Sequence, residues 1–168
     1  MLTSYLSNLV TRELRALSRE IRSFPDDDTL WQTPPGVTNS AGTLALHLVG
    51  NLQHFLGATL GGTSYRRDRQ AEFSRRGVSR DELALEVERA IASVEQTFPK
   101  VTSDVLDADF PEAVGGQTLR TEEFLLHLAT HLSYHLGQLD YHRRLVTGEA
   151  GRIGAVGVKE LTTARPAN

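Results

Sequence analysis

Apolar side chains return at helical spacing in four blocks along this chain. The first carries Leu2, Leu6, Leu9, Val10, Leu14, Leu17 and Ile21. It stops at Phe24-Pro25 because proline cannot continue a helix, and Asp26-Asp27-Asp28 then reads as loop. The second opens after Pro34-Pro35-Gly36 with Asn39 or Ser40 as N-cap, carries Leu44, Leu48, Leu52 and Phe55, and ends near Gly61-Gly62. The third starts at Ser79-Arg80-Asp81-Glu82, a capping-box pattern. It carries Leu83, Val87, Ile91, Val94 and Phe98 and ends at Pro99. The fourth opens on Thr121-Glu122-Glu123, whose acidic side chains suit a helix N-terminus, and runs to Leu145-Val146 before Gly148.

The connections complete the expected architecture. From Gly61 to Val78 there is no periodicity, and the stretch is long beside the usual helix-to-helix link of about 2–8 residues. It reads as the crossover connection that some four-helix bundles contain. Residues 99–120 form a second loop with turns at Asp109-Phe110-Pro111 and Gly115-Gly116, where any strand is short. The expected fold is all-α: a four-helix bundle over residues 1–148. A Gly- and Ala-rich tail, residues 149–168, then lies on the surface or on a partner chain.

Composition narrows the chemistry. The 168 residues fit one domain with a proper core. A net charge of -3 and a pI near 6.1, with no basic–aromatic groove pattern, argue against nucleic acid as a partner. No apolar run reaches the roughly 20 residues that span a bilayer, so no membrane partner is expected. Met1-Leu2-Thr3-Ser4-Tyr5 lacks a basic segment followed by an apolar stretch, and there is no cysteine, so the expected compartment is the cytoplasm. Without cysteine, neither a thiolate metal site nor a cysteine nucleophile exists. Any metal must sit on His, Asp, Glu, backbone oxygen or water.

All six histidines fall in two of the predicted helices: His47 and His54 in the second, His127, His131, His135 and His142 in the fourth. At helical pitch the last four span an arc of about 80° beside the stripe Leu125, Leu128, Leu132, Leu136 and Leu139. His47, Asn51 and His54 likewise share an arc beside Leu44, Leu48, Leu52 and Phe55. Two such helices, packed together, point imidazoles at one shared space. Residues four apart can share an ion. Residues seven or eight apart rise roughly 10–12 Å, too far for two metal–nitrogen bonds of about 2 Å. The fourth helix therefore offers His127 with His131, or His131 with His135, and spacing does not choose between them.

The segment Leu125-Leu126-His127-Leu128-Ala129-Thr130-His131-Leu132-Ser133-Tyr134-His135-Leu136-Gly137-Gln138-Leu139 resembles the closing motif of the DinB-like superfamily, a His, three residues, then His-x-Gly-Gln. Here the motif reads His131, three residues, His135, Leu136, Gly137, Gln138. Ala45-Leu46-His47-Leu48-Val49 resembles that family's ligand segment on the second helix. The resemblance implies a four-helix bundle with a crossing loop over residues 1 to 147. It also implies one divalent metal ion, zinc or nickel, on His47, His131 and His135, and a homodimer. Where the family often has Arg, this chain has Leu136, which removes any role of that Arg. His127 and His142 are extra, with supporting or core roles expected. Gly137 reads as a place of close helix approach, and Asn51 either orients a ligand or satisfies itself in the core.

Three neutral imidazoles leave an ion its full charge and an open position, the pattern of a catalytic site. The resemblance implies S-transfer from a low-molecular-weight thiol such as bacillithiol or mycothiol to a small-molecule electrophile. A metal-dependent hydrolase and a non-catalytic metal-binding dimer are the alternatives. No acidic residue lies on either His stripe, which counts against the hydrolase. Arg66, Arg67, Arg69, Arg75 and Arg76 crowd the crossing loop. They form either a rim for an anionic thiol or a solvated loop pinned by pairs such as Arg67 with Asp68 or Arg69 with Glu72.

Overall fold

Four long helical segments form where the periodicity predicts them in the computed structural model, which describes residues 1–153 and 157–167. Helix α1 (Leu2–Arg22) buries Leu6, Val10, Leu14, Leu17 and Ile21, which recur every three or four residues on one face. Each such side chain contributes about 1.5–3 kcal/mol by leaving water. Helix α3 (Ala41–Leu52) starts at Ser40, whose hydroxyl accepts from the Thr43 N–H, and α5 (Arg80–Thr97) starts in the same way at Ser79 with Glu82. Helix α7 (Thr121–Thr147) ends on Gly148 at a φ of 74°, the left-handed C-cap that glycine adopts without strain. Helix α1 packs on α5 and α7, and α3 packs on α5 and α7, so one apolar core fills the space between all four.

The connections are more ordered than expected. Asp26-Asp27-Asp28 is not loop: the Asp26 carboxylate caps α2 (Asp27–Trp31) by accepting from the Thr29 N–H at 2.7 Å. The second helix does not stay α-helical to Gly61. It widens into a π-helical segment, Gln53–Leu60, closed by the Gly61 N–H donating to the Leu56 carbonyl five residues back at 2.8 Å. The crossover contains α4 (Arg69–Ser74), capped by Asp68 through the Ala71 N–H, and this helix packs on α3.

Residues 99–120 hold the end of a 3-10 turn (Phe98–Lys100), α6 (Ser103–Asp107) and two isolated bridges, Asp109 with Arg120 and Val114 with Gln117. Strands are absent among the described residues. Phe110 is buried beside Phe124, with ring centroids 4.7 Å apart, and beside Phe55 at 5.9 Å, which fastens this loop to the bundle. Gly137 lies against nothing: a Cβ added there meets no atom within 4 Å, so it does not mark a close helix approach. In the tail, the carbonyls of Glu149 and Gly151 accept from Arg143, and Val158–Glu160 form one 3-10 turn. Residues 154–156 and 168 of that tail lie outside the described residues. No described helix is long and apolar enough to cross a membrane.

Candidate metal centre

His47 projects from the middle of α3, and His131 and His135 project from successive turns of α7. One ring nitrogen from each lies within 4.8 Å of the others. His47 Nε2 is 3.3 Å from His131 Nε2, and the His131 and His135 rings meet edge to face with centroids 4.5 Å apart. Two nitrogens bound at about 2.0–2.1 Å to one tetrahedral ion stand roughly 3.3–3.4 Å apart. The His47–His131 spacing therefore already suits a shared ion.

The orientation of two of these rings is set from behind. The His47 ring pairs through Nδ1 with Glu72 Oε2 at 3.0 Å, and the His135 ring pairs through Nδ1 with Gln138 Oε1 at 2.7 Å. A ring that donates from Nδ1 keeps the Nε2 lone pair for a metal, and a carboxylate behind the ring strengthens that nitrogen as a ligand. Glu72 belongs to α4 and is buried. Burial alone would raise its pKa. The Arg67 guanidinium, at 2.6 and 2.9 Å, and His47 outweigh that, and hold the carboxyl below the usual range. Gly50, one turn from His47, makes the approach possible, because a Cβ there would lie 2.9 Å from the Glu72 carboxyl carbon and closer still to Oε1.

The cluster favours neutral imidazoles. Burial, and then the neighbouring His135, His47 and His127 rings and Arg67, push the His131 pKa down to about 4. His135 is lowered by burial, against an opposing hydrogen bond that the ring makes to the Gln138 amide oxygen. Near neutral pH these two rings are deprotonated, as metal ligands must be.

The three rings open on a cavity of about 690 Å³. His54 and Asn51 line it from the same stripe as His47, Arg67 and Arg69 from the crossover, and Glu112 from the loop before α7. His127 also lines it but stands outside the cluster, stacked on Phe124 at 6.0 Å. His142 is elsewhere: buried, with Nε2 donating to the Gln32 carbonyl at 2.8 Å. The Asn51 Oδ1 is buried without a hydrogen-bond partner among the described residues, so Asn51 does not satisfy itself in the core.

Three expectations change here. Arg67 pairs with Glu72, not Asp68, which caps α4 instead. Arg69 lies over the Phe73 ring at 5.3 Å, not against Glu72. Acidic side chains do reach the site, because α4 supplies Glu72 and the loop before α7 supplies Glu112 where the His stripes have none. Asp68 ahead of Ala71-Glu72-Phe73 was the available signal for a capped short helix carrying that carboxylate. A family model of the DinB superfamily matches residues 9–139. No curated protein matches the chain.

Proposed function

The chain belongs to the DinB superfamily, and on that premise we propose that it is a metal-dependent thiol S-transferase. In this reading His47, His131 and His135 hold one divalent ion, zinc or nickel, and a low-molecular-weight thiol is joined to a small electrophile. The observation that carries it is the convergence of three imidazoles from two helices on one open cavity, with no fourth protein ligand in the cluster among the described residues. Imidazole suits both metals. An ion held by neutral ligands lowers the pKa of a thiol or water that reaches it.

The protein's own groups do the rest. Glu72 and Gln138 fix two of the rings, and Phe73 packs on the His47 ring at 5.1 Å, which limits water on that side. Arg69 lines the cavity with no carboxylate partner among the described residues, so its guanidinium is available to an anionic end of the thiol. Homodimer formation is part of the proposal. Tyr134, Tyr141 and Leu145 are exposed on one face of α7, and such a face suits a symmetric contact. A monomer by light scattering at high micromolar concentration would refute the dimer.

The test is a thiol panel with iodoacetamide as electrophile, using protein loaded with zinc, nickel or cobalt. Metal-dependent thiol consumption is expected. The cobalt spectrum should change on adding thiol and not on adding an alcohol of the same size. The entry of Glu112 into the cavity favours one second reading, a metal-dependent hydrolase with a carboxylate at hand. If no thiol alters the cobalt spectrum while a simple ester is hydrolysed in a metal-dependent way, that reading replaces the first.

A further inference from the structure

Two groups in the cavity remain unused by the cluster. His54 Nε2 lies 2.9 Å from Glu112 Oε1, and the Thr59 hydroxyl donates to the same oxygen at 3.0 Å. His54 is on the π-helical segment and Glu112 is on the loop fastened by Phe110, so two distant stretches of chain are brought together at this spot. Both side chains are partly exposed, at 27% and 37%, and both line the cavity that holds the three-His cluster. A pair kept only for stability is poorly served by such exposure, where ion pairs contribute about 0–1 kcal/mol. The Nε2 contact to a carboxylate orients the ring and leaves Nδ1 without a protein partner among the described residues. This is the arrangement of a carboxylate-held acid or base.

Reach decides which substrate atom the pair serves. His54 is two turns from His47, roughly 10 Å along the helix, so it cannot act on an atom held at the cluster. It can act on an atom that departs from the attacked carbon on the side away from the cluster, along the stripe from His47 past Asn51. At the cluster end, the proposed ion already favours loss of the nucleophile's proton. The far side of the attacked carbon, where its departing atom gathers negative charge, is where a proton is needed.

We propose that His54, held by Glu112, is the general acid of this site, and that it extends the substrate class to epoxides, whose oxygen must be protonated as the ring opens. This rests on the S-transferase reading. In the step, the thiol loses its proton to solvent and its sulfur forms a bond to one ring carbon. The C–O bond to that carbon breaks and its electron pair stays on oxygen. That oxygen takes the proton from His54 Nδ1, and solvent returns a proton to the ring. The product is a β-hydroxy thioether, with no oxidant or reductant required.

The experiment compares two electrophiles with the same thiol and metal-loaded protein: styrene oxide, which needs an acid, and iodoacetamide, whose iodide leaves unaided. His54→Ala should lower kcat/KM for styrene oxide by about 100-fold and for iodoacetamide by less than about threefold. Glu112→Gln keeps an acceptor for the ring and should lose about tenfold on the epoxide only. Circular dichroism and thermal melting establish that both variants fold. A second readout needs no turnover: in the metal-free chain, 15N NMR of His54 in its neutral form should show the Nε2–H tautomer. Glu112→Ala should restore a mixture.

Equal losses on both electrophiles would reduce His54 to a positioning residue and overturn the acid role. So would a mixed tautomer in the wild type. Turnover of iodoacetamide without styrene oxide sinks this inference and leaves the S-transferase reading standing. Turnover of neither sinks both.

Discussion

The two halves of α7 use the same residue types to opposite ends. Upstream, His131 and His135 meet His47 from α3 and open on a cavity. Downstream, His142 is buried against the Gln32 carbonyl, and Arg143, wholly buried, pairs with Glu20 of α1 at 2.7 Å. Helical phase does not separate them, since all these histidines lie on one arc. What differs is the opposing wall. Downstream it offers a carbonyl that accepts from His142 Nε2 and a carboxylate that pairs with Arg143, and no second imidazole. Upstream it offers another imidazole, with Glu72 and Gln138 behind the rings and open volume in front. A single buried ring held by a carbonyl is structural, and several rings converging on one cavity are available for chemistry.

The sharpest way to break this contrast is to remove one of the clustered rings from the upstream half. His131 contributes to every combination of ligands this helix offers, so His131→Ala should abolish stoichiometric metal binding, while His142→Ala should leave it nearly intact. Elemental analysis showing full metal in the His131 variant would end the assignment. The downstream counterpart is Arg143→Ala, which removes the guanidinium that pairs with the buried Glu20 carboxylate. Loss of one partner of a buried pair costs about 3–5 kcal/mol. Urea unfolding should report that loss, with the metal content of the folded fraction unchanged. A smaller effect is expected for Glu72→Ala, which leaves all three clustered rings but frees the His47 ring. Removing such a supporting group weakens metal binding about 10–100-fold, and Gly50→Ala should act in the same direction by displacing the Glu72 carboxyl. Wild-type affinity in the Glu72 variant, measured by competition with a chromophoric chelator, would show that Glu72 serves Arg67 alone.

Much of the upstream site was legible in the sequence because it obeys periodicity. Leucines at three- and four-residue spacing place α1, α3, α5 and α7, and the rise per residue limits which histidines can share an ion. Choosing His131 with His135 over His127 with His131 needed the family resemblance, since both pairs satisfy the spacing. The rest depends on contacts between distant residues that no local pattern encodes. Glu72 reaches His47 across 25 positions and Glu112 reaches His54 from another loop. Gly50 reads in sequence as a helix-weakening residue, and only the packed structure reveals the carboxyl lying against it. The π-helical widening at Gln53–Leu60 leaves the apolar pattern of the second helix unbroken, so nothing in the residues announces it.

The smallest expected effect concerns His142 and separates the halves by pH. Burial holds its pKa below the ordinary value, against a partly opposing hydrogen bond to the Gln32 carbonyl. In the unfolded chain the ring titrates near its ordinary value of about 6.5. Above that pH both states carry a neutral ring and the stability contribution is fully present. As pH falls below it, the unfolded chain takes a proton that the folded chain refuses. Stability is then lost until the folded pKa is reached, at no more than about 1.4 kcal/mol per pH unit for one group. In metal-free protein His131 and His135 add losses of the same sign, so wild type alone does not isolate His142. His142→Gln keeps an N–H donor for the Gln32 carbonyl and removes the titration. Urea unfolding of both metal-free proteins from pH 8.5 to pH 5 should give a shallower decline for the variant, with the two curves parallel above about pH 7. Parallel curves through the whole range would mean that His142 takes up its proton while folded, and the structural role inferred from its burial would have to be abandoned.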